Sequence, residues 1–169
     1  LAAPELDIFD SASEAVSMAK SVNDELSGVV NRYPQRFAGY CCIPLQDPAS
    51  AADELERAVI RLGLKGVSVQ GDMQGRSFAD QKYEVLFERL AMLDVPIYLH
   101  SRGPSLWNPD LNGALDVIRI INSDLLDKYP GLKIMLGHGG ESLPFWLHRL
   151  DGRWRESDNH KKRPKTFSQ

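Results

Sequence analysis

Cysteine is almost missing from this chain: Cys41 and Cys42 are the only two, and they are adjacent. Neighbouring residues on an extended strand point to opposite faces, so no ordinary disulfide between them is expected. Two thiols without a framework suit a reducing cytoplasm. Long apolar runs are missing as well. No stretch approaches about 18 apolar residues, so no membrane span is predicted. The segment Leu1-Ala2-Ala3-Pro4-Glu5 has neither the basic region nor the apolar core of a signal peptide. An excess of one charge is also lacking. The formal net charge is -3 over 169 residues, which favours neither nucleic acid nor a membrane surface as a partner. The glycines at 71–75 do not have the spacing of a P-loop or dinucleotide fingerprint. No serine sits in a nucleophile elbow with a histidine and an aspartate to serve it.

What remains is ordinary core-forming material, 43% hydrophobic and 25% charged, enough for one domain. Its order is informative. From 13 to 33, Ala15, Val16, Ala19, Val22, Leu26, Val29 and Val30 recur at helical spacing, with Ser11 or Ser13 as N-cap and Pro34 as stop. Residues 37–45 read as a strand closed by Gln46-Asp47-Pro48. A helix over 50–62 with Leu55, Ala58, Val59 and Leu62 inward leads to a strand at 66–69 and a glycine loop at 71–75. The unit then repeats: a helix over 81–93 with Val85, Leu86, Leu90 and Leu93 inward, a strand at 95–100, and a helix over 115–129. A strand at 132–136 and a helix over 143–154 complete the pattern. Strand–helix alternation with apolar strands predicts a parallel sheet covered by helices, either a barrel or an open doubly wound sheet. Both place chemistry at the C-terminal ends of strands. That rule directs attention to the residues at and just beyond Leu45, Val69, Leu99 and Gly137.

Two of those strand ends carry histidine: Tyr98-Leu99-His100-Ser101-Arg102 and Leu136-Gly137-His138-Gly139-Gly140-Glu141. Neutral imidazole ligates Zn²⁺ or Mn²⁺ and works as an acid or base near neutral pH. A single such histidine is as readily a hydrogen-bonded core residue; two on successive strand ends point to function. Gly139-Gly140 permits a sharp turn. Glu141, just before a helix, either stabilises that helix end or orients His138. Arg149, about two helical turns further, suits bidentate recognition of a carboxylate, although an arginine on a helix is more often a surface residue. His148 and His160 read as structural or solvated. Trp107, Trp146 and Trp154 read as packing residues, and Asp151 either as a partner for Arg149 or Arg153 or as a group with a chemical role.

These segments, with Arg36-Phe37-Ala38-Gly39 through Asp47-Pro48 and Leu143-Pro144-Phe145 through Asp151, resemble the aromatic-acid decarboxylase branch of the amidohydrolase superfamily. The resemblance implies an α/β fold: a partial (β/α)₈ TIM barrel lacking the first and last strands. It forms a single incomplete domain over 1–169, with a polar basic tail at 156–169. It implies that His100 is a metal ligand for Zn²⁺ or Mn²⁺, that His138 with Glu141 is catalytic, and that Arg149 binds the substrate carboxylate. The implied reaction is non-oxidative decarboxylation of a 2-hydroxybenzoate, with a small aromatic carboxylate as partner and a homo-oligomeric, cytoplasmic enzyme. The family's early Glu-x-His or His-x-His metal motif and its late-strand aspartate are not among these residues. Because a catalytic metal takes about three protein ligands, these residues alone are expected to be inactive. The alternatives are a metal-dependent hydrolase or lactonase of the same superfamily, an inactive truncated paralogue, and an unrelated doubly wound binding protein.

Overall fold

A computed structural model describes residues 2, 6, 8–70, 72–73, 76–100 and 109–157. The elements alternate as the sequence predicts. Helix α1 (Ala12–Arg32) is capped by the Ser11 hydroxyl, which accepts from the Glu14 N–H. Strand β1 is short (Tyr40–Cys41), helix α2 (Pro48–Glu56) is capped by Asp47, and the chain continues in a wide π-helical turn (Arg57–Arg61). The Ser50 hydroxyl, with the Ser50 and Ala49 N–H groups, holds the Asp47 carboxyl below its ordinary range. Strand β2 (Gly66–Gln70), a small antiparallel pair β3 (Asp72–Met73) and β4 (Arg76–Ser77), and helix α3 (Glu84–Leu93) come next. Then come β5 (Ile97–His100), α4 (Pro109–Asn122), α5 (Leu125–Lys128), β6 (Ile134–Leu136) and α6 (Leu143–Glu156).

Four strands form one parallel sheet in the order β1-β2-β5-β6, with Ala2 bridging to Tyr40 beyond β1. Its two faces differ. Val67, Val69, Ile97 and Leu99 are buried in one core with Leu55 and Ala58 of the α2 segment and Leu86, Phe87 and Leu90 of α3. Burying each large side chain is worth about 1.5–3 kcal/mol, so this helix-covered face supplies most of the cohesion. The other face carries Tyr40, Gly66, Ser68, Gln70, Tyr98 and His100, register partners or their alternates. Gly66 is required there, because a Cβ would sit 2.1 Å from the Tyr40 ring.

Several expectations need correction. Along α1 the buried positions are Ala15, Ala19, Asn23 and Ser27, whereas Val29 is 39% exposed. The polar pair occupies the core-facing stripe because partners await it. The Asn23 amide donates to the Cys42 carbonyl (2.9 Å) and Glu54 Oε1 (2.8 Å) and accepts the Cys42 N–H (3.0 Å), and Ser27 donates to the Leu62 carbonyl. In α3, Phe87 takes the inward place expected for Val85, which faces solvent. The run at 37–45 pairs only at Tyr40–Cys41, because just after Cys42 the chain turns, with the Leu45 N–H donating to the Ile43 carbonyl. The segment read as a glycine loop includes β3, which pairs antiparallel with β4 just beyond it. The helix expected over 115–129 breaks at Ser123–Asp124, where the Ser123 hydroxyl donates to the Ile120 carbonyl and accepts the Leu125 N–H. Helix α6 runs to Glu156, into the expected tail, whose remaining residues 158–169, with His160, lie outside the described residues, as does Trp107. Trp146 is 45% exposed and does not pack inside. Cys41 and Cys42 are buried free thiols, as the sequence implies.

Candidate active site at the strand ends

The corner between β5 and β6 is built by close approach. Leu99 pairs with Leu136, so Gly137 falls beside His100. A Cβ on Gly137 would lie 3.1 Å from the Leu99 carbonyl oxygen and 3.5 Å from the His100 Cα. Glycine therefore lets the two strand ends close together. The next four residues all adopt positive φ: His138 (49°), Gly139 (68°), Gly140 (82°) and Glu141 (56°). For a non-glycine residue this conformation costs about 1–2 kcal/mol. Such strain persists only where the surroundings enforce it, and it clusters at functional sites.

The strained turn carries His138 over the end of β5. Its Nε2 lies 3.2 Å from His100 Nε2, a hydrogen-bond distance at which one ring donates and the other accepts. The ring centroids are 5.2 Å apart, and His100 is in turn stacked on Tyr98 at 5.9 Å with a 20° interplanar angle. His100 is half-buried and His138 exposed, so the pair opens to solvent. Two imidazole nitrogens about 3 Å apart also fit neighbouring ligands of one ion, given metal–nitrogen distances of about 2.0–2.1 Å. Among the described residues, however, no group of three His, Cys, Asp or Glu side chains converges to hold a metal.

Of the four residues singled out from the sequence, the structure brings His100 and His138 together directly. Glu141 adjoins His138 through the backbone, its N–H donating to the His138 carbonyl at 3.3 Å, with its side chain half-buried. Arg149 is exposed on α6. His148 is also exposed on α6, whereas Asp151 is buried. The sequence reading missed Gln70. It is the last residue of β2, in register with His100, and only 5% exposed. The strand-end rule points at this position, and β2 runs one residue beyond its predicted end at Val69.

Sequence and fold comparisons identify the class. The chain belongs to the amidohydrolase family, whose sequence pattern matches residues 2–161. Among curated relatives it is 37% identical to the gamma-resorcylate decarboxylase of Polaromonas sp. (strain JS666), over 90% of this chain and 54% of that protein. Its fold matches the crystal structure of 5-carboxyvanillate decarboxylase from Sphingomonas paucimobilis with a TM-score of 0.85 at 31% identity, covering 98% of this chain and 54% of that one. It also matches the dihydroxybenzoic acid decarboxylase of Polaromonas sp. JS666, solved with manganese and the inhibitor 2-nitroresorcinol. There the TM-score is 0.82 at 35% identity, covering 93% of this chain and 55% of that one. The chain thus spans about half the length of the relatives it matches, and its parallel sheet with covering helices is part of their α/β barrel. No helix among the described residues is long and apolar enough to cross a membrane.

Proposed function

We propose that these residues form one incomplete barrel domain of a decarboxylase that removes CO₂ without oxidation from a 2-hydroxybenzoate-type aromatic acid. The observation that carries this reading is the His100–His138 pair, two imidazoles 3.2 Å apart on successive strand ends, in a chain whose relatives are aromatic-acid decarboxylases. His100 offers a nitrogen to a divalent metal, with the rest of the shell of about three ligands coming from beyond the described residues. Zn²⁺ or Mn²⁺, when bound, supplies Lewis acidity and a template for the carboxylate and ortho-hydroxyl oxygens. His138 stands beside that position as an acid–base group. Protonation of the ring carbon bearing the carboxylate forms the new C–H bond. The C–C bond to the carboxylate then breaks, CO₂ leaves, and the electron pair restores the aromatic ring. Glu141 fixes the orientation of His138, and Arg149 pairs with the carboxylate during binding. We place the enzyme in the cytoplasm, supported by its free buried thiols. We infer a homo-oligomer, supported by Phe145 (88% exposed) and Trp146 on the outside of α6.

The test is CO₂ release from 2,6-dihydroxybenzoate by the full polypeptide carrying these residues, loaded with Mn²⁺. His138→Asn is expected to lower kcat by about 100-fold or more. Turnover of esters or lactones with none of the acid would replace this reading with a hydrolase.

A further inference from the structure

We propose that Tyr98 is a positioning residue, whose ring fixes the plane of the His100 imidazole and so keeps Nε2 aimed at His138 and the reacting centre. This inference rests on the decarboxylase reading. Tyr98 and His100 are two residues apart on β5, so both side chains leave the sheet on the face turned away from the helices. Their rings are stacked, with centroids 5.9 Å apart and an interplanar angle of 20°. His100 also meets the His138 ring, at 5.2 Å and 39°. Rotation about the Cβ–Cγ bond of histidine is broad, so the rotamer of His100 does not by itself decide where Nε2 points. Yet the 3.2 Å approach to His138 Nε2, and a lone pair offered in the ring plane to a metal, both require one definite plane. A flat neighbour supplies it, because turning the imidazole about that bond would break the stack. Tyr98 is itself held. A Cβ on Gly137 would come 3.4 Å from the Tyr98 hydroxyl, so the phenol leans over β6 with its ring on His100 and its hydroxyl at the root of the turn that carries His138. Tyr98 is half-buried and lies outside the helix-covered core, to which β5 contributes Ile97 and Leu99. Packing of the helices therefore does not account for an aromatic residue at this place.

The test uses the full polypeptide carrying these residues. Tyr98→Phe keeps the flat ring, whereas Tyr98→Leu keeps apolar bulk and loses it. Mn²⁺ affinity is read from the electron paramagnetic resonance signal of the free ion, and kcat and KM from CO₂ release with 2,6-dihydroxybenzoate. Tyr98→Phe should leave Mn²⁺ affinity and kcat within about 3-fold of the wild type, since the stack survives. Tyr98→Leu should weaken Mn²⁺ binding, and lower kcat at saturating Mn²⁺, by about 10-fold or more each, with KM changed by under about 3-fold. Tyr98→Met, whose unbranched side chain fills irregular space, carries the same expectation if the leucine variant does not fold. Wild-type affinity and kcat in the folded leucine or methionine variant overturn the role of Tyr98 and leave decarboxylation intact. So does a phenylalanine variant as impaired as the leucine one, because the ring would then not be the working part. A wild type that neither binds Mn²⁺ nor releases CO₂ overturns the decarboxylase reading and this inference with it.

Discussion

The α1–α2 side of the molecule and the β5–β6 corner handle polar groups in opposite ways. Between α1 and α2, polar atoms are sealed and paired. Asn23 is fully buried, Glu54 nearly so, and Arg57 grips Glu54 through Nε (2.8 Å) and Nη2 (2.9 Å) while reaching Asp24 at 2.7 Å and the Lys20 carbonyl at 3.2 Å. At the corner, His138 faces solvent, the backbone is strained at His138 and Glu141, and the hydrogen-bonded imidazoles remain accessible. The first region uses polar groups to fix one packing of helix on strand. The second keeps them available, at the expense of local stability. Unpaired groups are costly only where water cannot reach them, which is why the two can coexist on one sheet.

The sharpest test of this division is Asn23→Ala. It would leave the Cys42 N–H, the Cys42 carbonyl and Glu54 Oε1 without their buried partner, so stability in urea titrations should fall by about 3 kcal/mol. A loss under 1 kcal/mol would show that the knot is not holding the helices. A smaller effect per pH unit comes from the thiols beside it. Burial pushes Cys42 up to about 12 from an ordinary 9.0 and raises Cys41 further. Because the folded values lie above the unfolded ones, the unfolded chain loses these protons first. This contribution is therefore intact below pH 9 and is lost as pH rises from 9 through 12, by at most about 1.4 kcal/mol per pH unit for each thiol. Denaturation midpoints should decline over that window, and replacing both cysteines with alanine should flatten the decline. The smallest stability change belongs to the corner. His138→Gly removes a left-handed histidine together with its contact to His100. It should shift stability by under about 1 kcal/mol while abolishing turnover. A loss above 2 kcal/mol would make the corner part of the frame and break the comparison.

The sequence reveals much of this because hydrophobic periodicity and strand-end chemistry are local signals. Order, element type and the two histidines emerge from residues close together in the chain. Asn23 and Ser27 escaped because hydropathy assigns polar residues to the surface, and their partners, Cys42, Glu54 and Leu62, lie far along the chain. The 3.2 Å approach of His138 to His100 was likewise not legible. It depends on the β5–β6 register and on Gly137 admitting the Leu99 carbonyl, both non-local facts. Gln70 escaped through a boundary misplaced by one residue, an ordinary error at element ends. Trp146 and Val85 show the converse: large apolar side chains are not always enclosed, and a helix turned slightly about its axis exchanges one for a neighbour.

Among the described residues, β6 pairs on one side only, with β5. An unpaired strand margin is in general a template for any extended peptide that meets it. On the ribosome, such a margin is what a chaperone meets before a neighbouring strand arrives. Lys133 stands immediately before β6, tethered to Asp94 at 2.7 Å. A charge at that position acts as a gatekeeper against runaway strand stacking. A single lysine at the start of β6 thus bears on whether the nascent chain stays monodisperse until its fold is complete.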